Sequence, residues 1–341
     1  MKRIVGIALL FILSVAVILF VYTALYLRTP ADEKGPTKTI GIRRGMTFRE
    51  VAYLLEEEGI IRGIRRFVLI GELSGASPKI KAGEYELSSN MTPLQVLDTL
   101  TTGKVKQYKV FIPEGYTMFQ IAEFLESRGI TGREAFLGKC SFSPYISSLG
   151  IEADSLEGYL FPDSYLFSRN LQPEDVIEVM VRRFRQIYTL QHSERAKELG
   201  FSDYEILILA SIIEKEAAIS EERFLVSGVY HNRLKRSMRL NSCVTVIYGI
   251  KDFDGNLTKR DLERYTPYNT YIIRGLPPGP VCNPGKEAIE AALYPSKTKY
   301  LYFVSKNDGS HQFSSTLKEH NMAVRKYQKM RRYRPEKRSS R

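Results

Sequence analysis

The chain contains no tryptophan, only three cysteines and only four histidines in 341 residues. Cys140, Cys243 and Cys282 are too few and too scattered for a disulfide framework or a zinc site. His192, His231, His311 and His320 show no His-x-x-x-His or other paired spacing, so metal catalysis lacks ligands and no cofactor is expected. The absence of tryptophan and of any RNA- or DNA-binding motif argues against a nucleic-acid partner. No small-residue cleavage site follows the N-terminal apolar run, and that run is longer than the 7–15 residues or so of a cleaved signal peptide.

What is present is ordinary globular composition, 43% hydrophobic, behind a membrane-length segment. The length allows two or three domains and a substantial core. Ile4 to Leu27 is almost unbroken apolar sequence. At about 1.5 Å per residue it spans roughly 36 Å, enough to cross a hydrocarbon layer of about 30 Å. Residues 1–28 are therefore expected to form a cytoplasmic end and a transmembrane anchor. Lys2 and Arg3 precede it and Arg28 and Lys34 follow it, so charge favours a cytoplasmic N-terminus only slightly. Residues 29–39, with two prolines, a glycine and several charges, read as a linker. The net charge of +12 suits an anionic partner, such as phospholipid headgroups or an acidic cell-wall polymer. Much of that excess lies in a basic tail over 326–341, which reads as a solvated segment.

The first half repeats itself. Ile42-Arg-Arg-Gly-Met-Thr-Phe-Arg-Glu-Val-Ala and Ile112-Pro-Glu-Gly-Tyr-Thr-Met-Phe-Gln-Ile-Ala align at a constant offset of seventy, and Leu55/Leu125 and Gly59/Gly129 extend the match. Each copy predicts a short strand, a Gly turn, a Thr-capped helix and a C-terminal Gly stop. Gly83 to Leu87 and Thr92 to Leu97 add a strand and another Thr-capped helix, with Pro93 at its first position. A strand followed by a capped helix is similar to LysM-like sugar-binding modules, and a saccharide-binding and a purely architectural role both stay open for residues 40–150.

Leu209-Ala-Ser-Ile-Ile-Glu-Lys-Glu-Ala217 sets two carboxylates, Glu214 and Glu216, in an apolar helical run. Ser202 and Glu205 form a capping-box pattern, so this helix should start near Asp203. Leu209, Ile212 and Ile213 share a side with Glu216, while Ala210, Ala217 and Ala218 lie nearer Glu214. Removing water from a carboxylate disfavours its charged form, so whichever is more enclosed stays protonated near neutral pH and acts as a general acid. Periodicity does not choose between them.

Further motifs surround that helix. They run Leu156-Glu-Gly-Tyr-Leu-Phe-Pro-Asp-Ser-Tyr165, Tyr230-His-Asn-Arg-Leu234, Met238-Arg-Leu240, Thr245-Val-Ile-Tyr-Gly249, Tyr268-Asn-Thr-Tyr271, Gly275-Leu-Pro-Pro-Gly-Pro280, Asn283-Pro-Gly285, His311-Gln-Phe-Ser314 and Glu319-His-Asn321. In this order they resemble the YceG-like family. The resemblance implies a lytic transglycosylase held in the bacterial plasma membrane, with its body outside the cytoplasm. Such an enzyme cuts nascent peptidoglycan between N-acetylmuramic acid and N-acetylglucosamine and leaves a 1,6-anhydro end. It implies Glu216 as the catalytic acid, with Glu214 in reserve. One acid can serve twice there, whereas ordinary glycoside hydrolysis pairs two carboxylates.

Substrate-binding candidates are Glu157, Tyr159, Asp163, Tyr268, Asn269, Tyr271, His320 and Asn321, although buried hydrogen bonding to the next loop is an equal alternative for the first group. The implied partners are glycan strands and the membrane, with cell-wall synthases as further candidates. The chain departs from the family pattern at Asn241-Ser-Cys-Val244, where an Asp is expected at the position of Cys243.

Two other readings compete. Ser315-Thr-Leu-Lys318 matches the Ser-x-x-Lys pattern of penicillin-binding enzymes, but no Ser-Asp-Asn or Lys-Thr-Gly accompanies it. A non-catalytic wall-binding or division scaffold would use the repeat and the anchor without the Glu-Lys-Glu helix. The fold expected is α+β: a transmembrane helix, a LysM-like β/α repeat region, and a mixed α+β catalytic domain over 151–325.

Overall fold

The computed structural model describes residues 2–329, and of residues 2–6, 8 and 329 the backbone alone. Most of the basic tail expected over 326–341 lies outside the described residues. The architecture is mixed α+β, mostly helical, and every sheet among the described residues has two strands. The chain divides into two compact units, one of residues 1–109 with 166–170 and the other of residues 110–165 with 171–341.

In the first unit, α1 (Lys2–Arg28) contains a segment, Leu9–Arg28, of mean hydropathy 2.5, long and apolar enough to cross a membrane. β1 (Thr37–Ile42) leads through Gly45 to α2 (Phe48–Glu57), and α3 (Ile64–Leu73) follows. β2 (Gly83–Ser88) returns antiparallel to β1, pairing Ile40 with Tyr85, and α4 (Pro93–Thr102) closes the unit. Ile40, Ile42, Val51, Leu55, Phe67, Tyr85, Leu87, Val96 and Leu100 form its core.

β3 (Tyr108–Phe111) runs from the first unit into the second, and its partner β4 (Ser164–Phe167) runs back. Between them come α5 (Met118–Ser127), α6 (Arg133–Cys140) and α7 (Ser143–Ser148). After β4 the chain makes α8 (Pro173–Ile187), α9 (Leu190–Leu199), α10 (Asp203–Glu216), α11 (Ser220–Lys235), α12 (Cys243–Tyr248), α13 (Lys259–Glu263) and α14 (Lys286–Leu293). A hairpin of β5 (Tyr302–Ser305) and β6 (His311–Ser314) and then α15 (Leu317–Val324) complete it.

The caps and glycine stops of the repeat recur in both copies. Thr47 and Thr117 cap α2 and α5, each in a capping box with the residue three positions on. Both helices stop at a left-handed glycine, Gly59 at φ 73° and Gly129 at φ 67°, where no side chain has to be accommodated. The amide of Ile60 reaches back to Leu55 and that of Ile130 to Leu125. The second copy packs with the larger unit, and the compact division falls at 109/110. The cause is hydrogen bonding: Gly115 donates to the carbonyl of Asn283, Asn283 donates to that of Tyr116, and Ile112 donates to that of Asp163.

α10 is the centre of the larger unit. Ile206 to Ile213 are all buried, so the helix is enclosed around its circumference, with α14, α11, α9 and α12 against it. Ser202 and Glu205 form the expected capping box and the helix begins at Asp203. The Pro-rich loop 275–280 is irregular, and its last residue, Pro280, packs on Gly158. Gly158 has φ 91°, and a Cβ there would lie 2.7 Å from Pro280 Cγ and 3.1 Å from Leu207 Cδ2. Gly158→Ala should therefore combine a forbidden backbone conformation with overpacking and destabilise the protein by about 1–3 kcal/mol, seen as a lowered denaturant midpoint with an unchanged slope.

Candidate active site

Glu214 and Glu216 are two residues apart at the end of α10, so they leave the helix on nearly opposite sides. Glu214 meets charge. Its Oε1 lies 3.1 Å from Arg223 Nη2 and its Oε2 accepts the Gly285 amide at 3.0 Å. Arg223 also pairs with Glu287 at 2.8 Å and approaches Glu114 at 3.7 Å. Burial pushes the Glu214 carboxyl up, while Arg223 and the Gly285 amide oppose that rise. With both oxygens engaged, Glu214 pins the start of α14 and the strap from Arg223 to the end of α10.

Glu216 meets no cation at bonding distance. Its Oε1 accepts from Ser242 Oγ at 2.5 Å and from Tyr230 Oη at 3.1 Å. Its Oε2 has no hydrogen-bond partner among the described residues. Burial pushes this carboxyl upward, and the two hydroxyls, His311 and Arg233 offset only part of the rise. The helix C-terminus, whose free carbonyls repel negative charge, acts in the same direction as burial. A protonated Glu216 with its proton on Oε2 keeps both hydroxyl bonds to Oε1.

A wider ring encloses that carboxyl. His311 bonds Glu222 through Nδ1 at 2.6 Å and through its amide at 3.0 Å. Its ring stands edge-on to Phe303, which is edge-on to Tyr230. Cys243, at the position where an Asp was expected, shares a hydrogen bond with Tyr271 Oη at 3.1 Å. Burial pushes its thiol up, so it stays a neutral thiol and supplies no carboxylate-like charge.

The other residues singled out from the sequence divide between this ring and the interior. Tyr271 is at the site through Cys243. His320 stacks on Tyr302 at 5.2 Å, and Asn321 is exposed on α15. Tyr159 stacks with Tyr204 and sits edge-on to Phe184, and Tyr268 leans on Tyr248 at 4.9 Å. Asp163 bonds Arg183 Nε at 2.6 Å and so ties a loop to α8.

Asn269 and Glu157 belong to the interior and not to a surface open to sugar. Asn269 has no exposed area; its amide donates to the carbonyls of Leu262 and Arg264 and accepts from the Tyr271 amide. Glu157 accepts from the Met118 amide, from Asn283 Nδ2 at 2.8 Å and from Tyr248 Oη at 3.0 Å. Asn283 in turn accepts from the Gly158 and Leu160 amides, so one buried amide holds three segments together. Ser315 of the Ser-x-x-Lys pattern precedes the cap of α15 and donates its amide to Glu319, whose carboxylate completes that capping box. The sequence alone did not give roles to Tyr230, Ser242, Arg233 or Glu222, and it offered His311 only as a cleft or closing residue; all but Glu222 lie within or beside quoted motifs, which was the available signal.

A family described as the YceG-like family matches residues 40–326. The chain belongs to the YceG-like family. It is 32% identical over 324 residues to the endolytic murein transglycosylase of Bacillus subtilis, covering 90% of this chain and 89% of that protein. It is 30% identical to the protein of the same name from Streptococcus pneumoniae, over 84% of this chain and 57% of the longer relative. A solved YceG-like protein of Listeria monocytogenes matches with a TM-score of 0.58 and 32% identity, over 85% of this chain and all of that one. The family match includes the Glu-Lys-Glu helix and every residue of the ring around Glu216.

The interior carboxyl of Glu157 has a measurable consequence. Burial pushes it up to about 8, well above the ordinary 4.5. Its contribution to stability is fully present below about pH 4.5 and is lost as pH rises towards 8, because only the unfolded chain ionises in that window. The slope is at most about 1.4 kcal/mol per pH unit. Glu157→Gln should flatten the decline in melting temperature between pH 5 and pH 8 relative to the parent, measured on the full chain in detergent.

Proposed function

We propose that this protein is an endolytic murein transglycosylase held in the bacterial plasma membrane by α1, with the rest of the chain outside the cytoplasm. The observation that carries the reading is a carboxyl with burial-raised pKa, Glu216, bonded on one oxygen by two hydroxyls and open on the other, in a chain whose relatives bear that name. Protonated Glu216 donates from Oε2 to the glycosidic oxygen between N-acetylmuramic acid and N-acetylglucosamine. As carboxylate it then takes the proton of the muramic 6-hydroxyl while that oxygen closes on C1. The product is a 1,6-anhydro end, and no water is consumed. Cutting inside nascent strands in this way limits their length during wall assembly, in company with the synthases that make them.

A single working carboxyl supports this route over hydrolysis, which uses a pair. Glu214 is unsuited to be the second member, since both its oxygens are engaged by Arg223 and Gly285. A scaffold without chemistry has no use for an enclosed carboxyl at the end of an apolar helix, where burying a polar group costs stability.

Glu216→Gln should lower release of anhydro-ended fragments from uncrosslinked glycan by about two to four orders of magnitude while leaving the melting temperature near that of the parent. Mass spectrometry of the products decides the class, because reducing ends from the parent protein would mean hydrolysis and uncut polymer would mean binding alone. Ser242→Ala removes a donor that favours the carboxylate, so the carboxyl pKa should rise further. Turnover should fall, and the alkaline limb of the pH–rate profile, where the acid loses its proton, should move to higher pH.

A further inference from the structure

A basin of about 380 Å³ opens beside the loop that carries Ser242, lined by Arg233, Ser237, Met238, Arg239, Asn241, Arg274 and Tyr302. Three guanidinium groups line it and no carboxylate does. Arg239 and Arg274 are exposed and form no ion pair or side-chain hydrogen bond among the described residues. Arg233 is buried at 9% exposure, yet its partners are neutral: the carbonyls of Leu301, Leu240 and Arg239 accept from Nε and Nη1, and its guanidinium lies 5.2 Å from the centre of the Tyr302 ring.

A protein surface ordinarily intersperses charges of both signs, and a buried cation is ordinarily paired. Neither holds here. The loop is also held in an unusual backbone, since Ser237 at φ 52° and Asn241 at φ 51° are both left-handed without being glycine. The basin adjoins the proposed acid: Asn241 precedes Ser242, which bonds Glu216.

We infer that the Arg233–Arg239–Arg274 basin is a subsite for a carboxylate on the peptide borne by the glycan strand next to the bond that is cut. This rests on the murein reading above and deepens it. Murein carries a short peptide on the lactyl group of each muramic residue, and that peptide ends in free carboxylates. Arginine's planar fork matches a carboxylate in two parallel bonds, whereas the sugar ring is neutral and offers the three cations no opposite charge. A strand docked this way is held by its peptide, with the muramic residue that bears it placed against Glu216.

The test uses the full chain in detergent carrying Glu216→Gln, so that binding is read without cutting, and a further version with Arg239→Gln and Arg274→Gln, both exposed positions. Uncrosslinked glycan with its peptides should bind roughly tenfold or more tightly than the same glycan stripped by an amidase, and the arginine substitutions should abolish that difference. An N-acetylated dipeptide with a free C-terminal carboxylate should compete, and its C-terminal amide should not. Equal binding of intact and stripped glycan, an equal loss for both with the arginine variants, or better competition by inorganic phosphate than by the dipeptide would overturn the inference. On the cleavage-competent chain the same two substitutions should raise KM for peptide-bearing strands and leave kcat within about twofold. If that chain cuts nothing while the binding difference persists, the enzyme reading fails and the subsite stands.

Discussion

Withdrawal of one carboxyl from water is the constraint on which the larger unit depends. α10 is apolar around its whole circumference from Ile206 to Ile213, so its half-buried terminal residue has its carboxyl held against that core. Transfer of an ionised carboxylate into such surroundings is costly, and burial therefore pushes its pKa up. The packing of α11, which supplies Tyr230, and of the 241–243 turn, which supplies Ser242, places two hydroxyls on the acid with no cation at bonding distance. Enclosure and incomplete pairing together are what the proposed reaction asks of its acid.

The contrast within one helical turn shows which effect decides. A full charge pair at about 4 Å contributes on the order of 4 kcal/mol at an effective dielectric of 20, while an ordinary hydrogen bond contributes about 1 kcal/mol. Glu214 has Arg223 at 3.1 Å and an amide; Glu216 has two hydroxyls. Both carboxyls are pushed up by burial, but only Glu214 has a partner strong enough to hold the anion in place. The same geometry makes Glu214 a tie between α10, α11 and α14, whereas Glu216 keeps one oxygen without a partner among the described residues.

Local features were legible in the sequence because their causes are local. The caps at Thr47, Thr92, Thr117 and Ser202, the glycine stops at 59 and 129 and the start of α10 all depend on residues within four positions of one another. The choice between Glu214 and Glu216 was not legible from periodicity, since it rests on Arg223, Gly285, Tyr230 and Ser242, which are brought in by tertiary packing. Asn269 shows the same limit from the other side. An amide beside tyrosines suits a sugar, and it equally suits the carbonyls of a tight loop; only burial distinguishes them. The grouping of the second repeat with the larger unit was likewise hidden, because it follows from Asn283, more than 150 positions further along, bonding Gly115 and Tyr116.

The asymmetry of the Glu216 carboxyl also explains how one group can act twice in the proposed reaction. Oε1 accepts from Ser242 and Tyr230 whether the group is protonated or ionised, so neither hydroxyl has to turn when the proton leaves. Oε2 alone changes state, first giving a proton to the departing sugar oxygen and then receiving one from the attacking hydroxyl. Both transfers occur at one atom, on one side of the ring that is being closed. The surrounding dipoles are fixed before the reaction starts, so little reorganisation opposes either step, and a second carboxylate would have no proton to move.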